Sequence, residues 1–143
     1  MRRNLTVEEL GDLLERPINA ILALHRRDGS ILQTPVWHRW DEGRFLLEIP
    51  AGDRKIAMLE RDPRVSLIVA ENEFPYRAIE VHGRAAISSE RYRERGRSIV
   101  ERFVAAHDPE RTADAYLSDE PGAIVEILAD AVRAWDYADE AFI

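Results

Sequence analysis

Between residues 18 and 49 three strand-like runs follow one another with only short glycine turns between them, and this spacing leaves little choice of fold. Ile18 to His25 is an apolar strand, and Arg27-Asp28-Gly29-Ser30 supplies a turn whose glycine accepts positive φ. Ile31 to Trp40 reads as the returning strand; Pro35 within it removes one donor and marks an edge or a bulge. Asp41-Glu42-Gly43 turns the chain again into Arg44 to Ile49. Strands joined by such short turns make an antiparallel meander.

The pattern continues downstream. Val65 to Ala70 is almost wholly apolar, as expected of a strand buried on both faces. Arg77 to Ile87 alternates, with Ile79, Val81, Ala85 and Ile87 on one face, and Gly83 mid-strand predicts a close approach to the backbone. Ala123 to Leu128 and Ala131 to Tyr137 read as one long final strand broken near Ala129-Asp130. Helices are few. Thr6-Val7-Glu8-Glu9 forms a capping box for a helix that runs to Arg16-Pro17 and turns Leu10, Leu13 and Leu14 inward, with Leu5 and Leu10 placed as a hydrophobic staple. A short helix spans Arg54 to Arg61, with Ile56, Ala57 and Leu59 available for burial. The longest, residues 89–106, carries Tyr92, Ile99, Val100, Phe103 and Val104 along one stripe, and Arg91, Arg93, Arg95 and Arg97 on a solvated, ion-paired face. Asp108 to Gly122 is a polar connection with room for a short helical turn. Mainly β with peripheral helices, about six antiparallel strands in a small barrel or sandwich, residues 1–143 as one domain: this is the expected architecture.

Composition narrows the function classes. There is no cysteine, so disulfides, thiolate catalysis and cysteine metal sites are excluded. A net charge of −7 argues against a global nucleic-acid footprint. No apolar run approaches a membrane span and no export signal is apparent, so a cytoplasmic protein without a membrane partner is expected. His25, His38, His82 and His107 are far apart in sequence and join no ligand motif, so no metal is expected. The glycines form neither a dinucleotide fingerprint nor a phosphate loop, and no serine nucleophile motif occurs. Trp37 and Trp40 are expected on opposite strand faces, in core or interface packing.

One stretch stands out. The basic residues number 20, and only Lys55 among them is a lysine. It follows Ala51, Gly52, Asp53 and Arg54, where a strand ends and a helix begins. A helix N-terminus offers unpaired amides and partial positive charge, glycine admits an anion to the backbone, and Lys55 adds a movable ammonium. A plain helix cap by Asp53, with Arg54 and Lys55 solvated, fits the same residues.

The runs "TPVWHRW", "DEG", "RFLLEIPAGDRKIAMLERDPRVSLIV" and "PYRAIEVHGRAAI", in this order, resemble the pyridoxamine phosphate oxidase-like split β-barrels, and most of all their short flavin/deazaflavin oxidoreductase branch. The resemblance covers about residues 15 to 137. It implies a six-stranded split barrel and a homodimer with two cofactor sites at the subunit interface. The implied cofactor is FMN or the deazaflavin coenzyme F-420, with hydride equivalents passing to or from a small-molecule substrate. Residues matching Gly52, Asp53, Arg54 and Lys55 hold the cofactor phosphate. Thr34, Pro35, Val36 and Trp37, with Ile49 and Ala51, match stretches lining the flavin ring. Tyr76 and Arg77 match a segment near the site. No catalytic acid or base is implied; His38, Tyr76 and Arg77 are candidates by position. Where many relatives carry Ser, Thr or Arg near Asp53, this chain has a carboxylate, unfavourable beside phosphate unless it caps the helix or pairs with Arg54. Alternatives are a binding or storage module for FMN, F-420 or haem without turnover, and a dimerising barrel that has lost its cofactor.

Overall fold

The computed structural model describes residues 1–140. Its elements are β1 (Ala20–His25), β2 (Ile31–Val36), β3 (Arg39–Asp41), β4 (Arg44–Ile49), α1 (Arg54–Arg61), β5 (Arg64–Ala70), β6 (Ala78–Ser88), α2 (Tyr92–His107) and β7 (Ala123–Trp135), with single 3-10 turns at Glu8–Leu10 and Ala113–Tyr116. The strands form one curled antiparallel sheet in the order β2-β1-β5-β6-β7-β4-β3, seven strands where six were expected.

The extra strand comes from a break in the run Ile31 to Trp40. Trp37 and His38 both turn toward Phe103 of α2, Trp37 stacked on its ring at 5.1 Å and 14°, His38 edge-on at 5.6 Å. Two adjacent side chains on one side cannot belong to a pleated strand. The run therefore splits into β2, an outer strand beside β1, and β3, an outer strand beside β4 at the other end of the sheet. The expected three-strand meander is thus two hairpins far apart in the sheet order. Pro35 does lie on an edge strand, opposite Ile21.

The N-terminal helix is also corrected. The capping box forms, Thr6 N–H to Glu9 Oε1 at 3.0 Å and Glu9 N–H to Thr6 Oγ1 at 3.2 Å. The helix ends after one turn because Gly11 takes φ +61, which an α-helix cannot continue. Leu10, Leu13 and Leu14 nevertheless reach the core.

That core fills the concave face: Leu22 and Leu24, Phe45, Leu47 and Ile49, Val65, Leu67 and Val69, Ile79 and Val81, and Val125 and Ile127, closed by the N-terminal leucines and Leu59 of α1. Burial of each such side chain stabilises by roughly 1.5–3 kcal/mol. A second cluster forms on the convex face, where α2 sets Tyr92, Ile99, Val100 and Val104 against Leu46 and Ile124. The strand buried on both faces is therefore β4; β5 alternates, with Ser66 and Ile68 only half-buried. Ala57 of α1 faces solvent, and Met58 packs in its place beside Ile56. At Gly83 an added Cβ would stand 2.1 Å from the Leu128 carbonyl oxygen, the close approach foreseen for it. The β6–β7 register slips there, leaving Asp130 as the extra residue between Ala129 and Ala131.

Candidate functional site

The segment from Ile49 to Lys55 is built as a rigid exit from the sheet. Ile49 is wholly buried. The Ala51 amide donates to Ser118 Oγ at 3.0 Å, and Ser118 is held in turn by the Tyr92 hydroxyl at 3.0 Å. Tyr92 donates to Glu48 Oε1 at 2.5 Å. Burial pushes the Glu48 carboxyl up against that hydrogen bond, and the nearby Asp53 charge adds to the rise. Gly122 lies against the same backbone, since a Cβ there would meet Ile49 O at 2.2 Å and Ala51 N at 2.9 Å.

Gly52 then takes φ +84, with open space around the position a Cβ would occupy. Asp53 caps α1: its Oδ1 accepts the Lys55 amide at 2.8 Å and its Oδ2 pairs with the Lys55 ammonium at 2.9 Å. Partial burial works to raise the Asp53 carboxyl, but the Lys55 amide and ammonium outweigh it and hold the carboxyl below the usual carboxylate range. Of the two outcomes weighed for Asp53, capping is realised, and its ionic partner is Lys55 instead of Arg54. Neither the Gly52 nor the Arg54 amide donates to another described residue. Two amides at a helix start, an open glycine and two cations offset by one carboxylate fit an anionic group.

The other expected residues fall into three places. Thr34 and Val36 are half-buried and Pro35 exposed on β2. The curl of the sheet brings α1 against that hairpin, where Arg54, Met58 and Arg61 share a groove of about 450 Å³ with Arg26, Arg27, Asp28 and Leu32. Trp37 forms a wall of a larger cavity, about 610 Å³, facing Arg16, Asn19, Asn72 and His107. Tyr76 and Arg77 lie in the β5–β6 connection. Arg77 is committed to Glu71, at 2.9 and 2.7 Å, to Asp12 at 2.7 Å and to the Leu10 carbonyl at 2.7 Å. His38 is fully enclosed, with Nε2 3.0 Å from the Ile18 carbonyl and Nδ1 3.4 Å from the Arg102 guanidinium. Burial, then the Arg102 charge, lowers it to about 4. An enclosed neutral imidazole is a structural group, so its candidacy as an acid or base is withdrawn. Ser118 and Gly122 escaped sequence reasoning, and Tyr92 was expected only in the buried stripe of α2; nothing in their local pattern announces the support they give Ala51.

Comparison with known proteins bears on these observations. The sequence matches the model of the pyridoxamine 5'-phosphate oxidase family over residues 6–136. The chain belongs to that family. No curated protein matches the sequence. Among solved structures, it is similar to a conserved hypothetical protein from Mycobacterium tuberculosis, with TM-score 0.77 and 23% identity over 98% of this chain and 91% of the other. An F420 reductase gives TM-score 0.67 and 23% identity over 85% and 93% of the two chains. A FAD-binding protein from Mesorhizobium loti gives 0.65 and 21% over 94% and 99%. These likenesses show a shared fold, and the curled seven-stranded antiparallel sheet is consistent with a split barrel. Among the described residues no helix is long and apolar enough to cross a membrane, and no group of three or more His, Asp or Glu could hold a metal.

Proposed function

We propose that the chain is a flavin- or deazaflavin-dependent oxidoreductase that moves hydride equivalents between bound FMN or coenzyme F-420 and a small substrate. The observation that carries this reading is the Gly52 turn into α1, with its two unclaimed amides beside Arg54 and Lys55. Family membership and the likeness to an F420 reductase and a FAD-binding protein support it. Gly52 to Lys55 would hold the cofactor phosphate, while Thr34 to Trp37 and the Ile49–Ala51 backbone would line its ring. The bound cofactor would supply the redox chemistry, and the chain would orient it and exclude water. We read the functional unit as a cytoplasmic homodimer of single-domain chains with sites at the subunit interface, a reading supported by exposed Ile21, Leu128 and Val132 on β1 and β7.

A second reading, a dimerising barrel that has lost its cofactor, is favoured by one observation: Asp53 already neutralises Lys55. Fluorescence-quenching titration with FMN and with F-420, for wild type and Lys55→Ala, tests the first. Saturable binding of one cofactor, weakened by the substitution, is expected, followed by turnover with a reductant or acceptor. Binding of neither cofactor overturns it and selects the second; equal binding by the variant, or tight binding without turnover, overturns the first.

A further inference from the structure

Away from Gly52–Lys55, a cavity of about 320 Å³ opens between the N-terminal segment, β3 and α2, lined by Leu14, Glu15, Arg39, Trp40, Ser98, Glu101 and Arg102. Its two arginines are unusual for this chain. Most guanidiniums here are paired with carboxylates, as in Arg77–Glu71, Arg95–Glu126 and Arg97–Asp114. Arg39 and Arg102 are both half-buried, and among the described residues neither has a carboxylate within ion-pair distance. Glu15 and Glu101 line the cavity but are solvent-exposed and reach neither guanidinium.

Arg102 is held by neutral groups only. Its Nη1 donates to the His38 carbonyl at 2.5 Å and its Nη2 to the Leu14 carbonyl at 3.2 Å, with the guanidinium 4.5 Å above the Phe103 ring. Its Nε is buried with no partner. Arg39 makes one long contact, Nη1 to the Ser98 carbonyl at 3.5 Å. Burial, then the charge of Arg39, lowers Arg102 to about 10. A partly desolvated cation pair lacking its anion is unfavourable, and a bound oxyanion removes the penalty while matching the planar donor geometry of guanidinium.

We propose that this cavity is a binding site for a small organic anion, its carboxylate or phosphate held between Arg39 and Arg102 and its body against Trp40 and Leu14. The cavity volume exceeds what a bare oxyanion needs and falls at the lower end of the range for small-molecule pockets. The site is separate from the Gly52–Lys55 segment and stands whether or not that segment holds a cofactor.

Isothermal titration with benzoate and with inorganic phosphate tests this on wild type, Arg39→Gln and Lys55→Ala. Arg39→Gln is chosen because Arg39 makes a single weak contact, so the fold is retained. At least one probe is expected to bind saturably, about tenfold more weakly to Arg39→Gln and with unchanged affinity to Lys55→Ala. No saturable binding of either probe up to about 50 mM overturns the proposal, as does binding insensitive to Arg39→Gln or abolished by Lys55→Ala.

Discussion

The ammonium of Lys55 lies 2.9 Å from Oδ2 of Asp53, while the amide of the same lysine donates to Oδ1 at 2.8 Å. One carboxylate thus both starts α1 and competes with any anion for the lysine. Asp53→Asn keeps an oxygen for the amide and removes the charge. FMN affinity is expected to rise roughly three- to tenfold, the scale of a partly exposed ion pair released. Titration of the variant beside wild type checks this, and an unchanged or weaker affinity would show that the carboxylate does not compete.

His38 couples stability to acid. Its folded value of about 4 lies below the ordinary 6.5. The unfolded chain therefore takes up a proton as pH falls through 6.5, which the folded chain refuses until about 4. The stability contribution is full above 6.5 and is lost progressively between those values. Between pH 7 and 5 the loss is about 2 kcal/mol. Urea denaturation of wild type and His38→Gln at both pH values measures it, because losses common to the two proteins cancel. Equal pH dependence in the two would refute the assignment.

Glu71, with its side chain only 2% exposed, is the shared carboxylate of Arg77 and Arg16, at 2.7 and 2.9 Å. Glu71→Gln removes the buried one of the two carboxylates on each guanidinium, leaving Arg77 with Asp12 and Arg16 with Glu73, and is expected to cost roughly 2 kcal/mol, read as a lower urea midpoint. The Arg77 hydrogen bonds hold this carboxyl below the usual range. Its contribution is therefore present above the ordinary carboxylate value and disappears as pH falls through the lowered one.

Gly122→Ala places a methyl against the Ile49 carbonyl and the Ala51 amide, both backbone atoms. Neither can yield without displacing the exit from β4. A stability loss of about 2 kcal/mol or more is expected, together with weakened cofactor binding, since Ala51 leads directly into Gly52. A stable variant with unaltered FMN titration would show that the β7 start does not position this segment.

Much of the fold was legible because local signals and tertiary packing agree. β4 and α1 end where their turn residues and the Asp62-Pro63 pair say they should, and the predicted stripe of α2 is the buried one. The disagreements have particular causes. Gly11 adopts a left-handed conformation that stops the first helix, and Arg77, which approaches within 3.2 Å of where its Cβ would lie, occupies the space. Trp37 and His38 break their strand to meet Phe103, a residue far along the chain. The supports of Ala51 come from Ser118 and Tyr92, and the Arg39–Arg102 cavity joins elements equally distant in sequence. No local window contains such pairings.

The order of pairing also has a consequence for biosynthesis. β4 has only the short β3 beside it until residues 123–127 of β7 arrive on its other edge, and β6 likewise waits for β7 along its length. A nascent chain that has not yet reached residue 123 must hold Phe45, Leu46 and Leu47 with both faces of their strand incompletely covered. Closure of the sheet therefore waits for its last strand, and a chain stalled before that point exposes an unpaired apolar strand of the kind chaperones recognise.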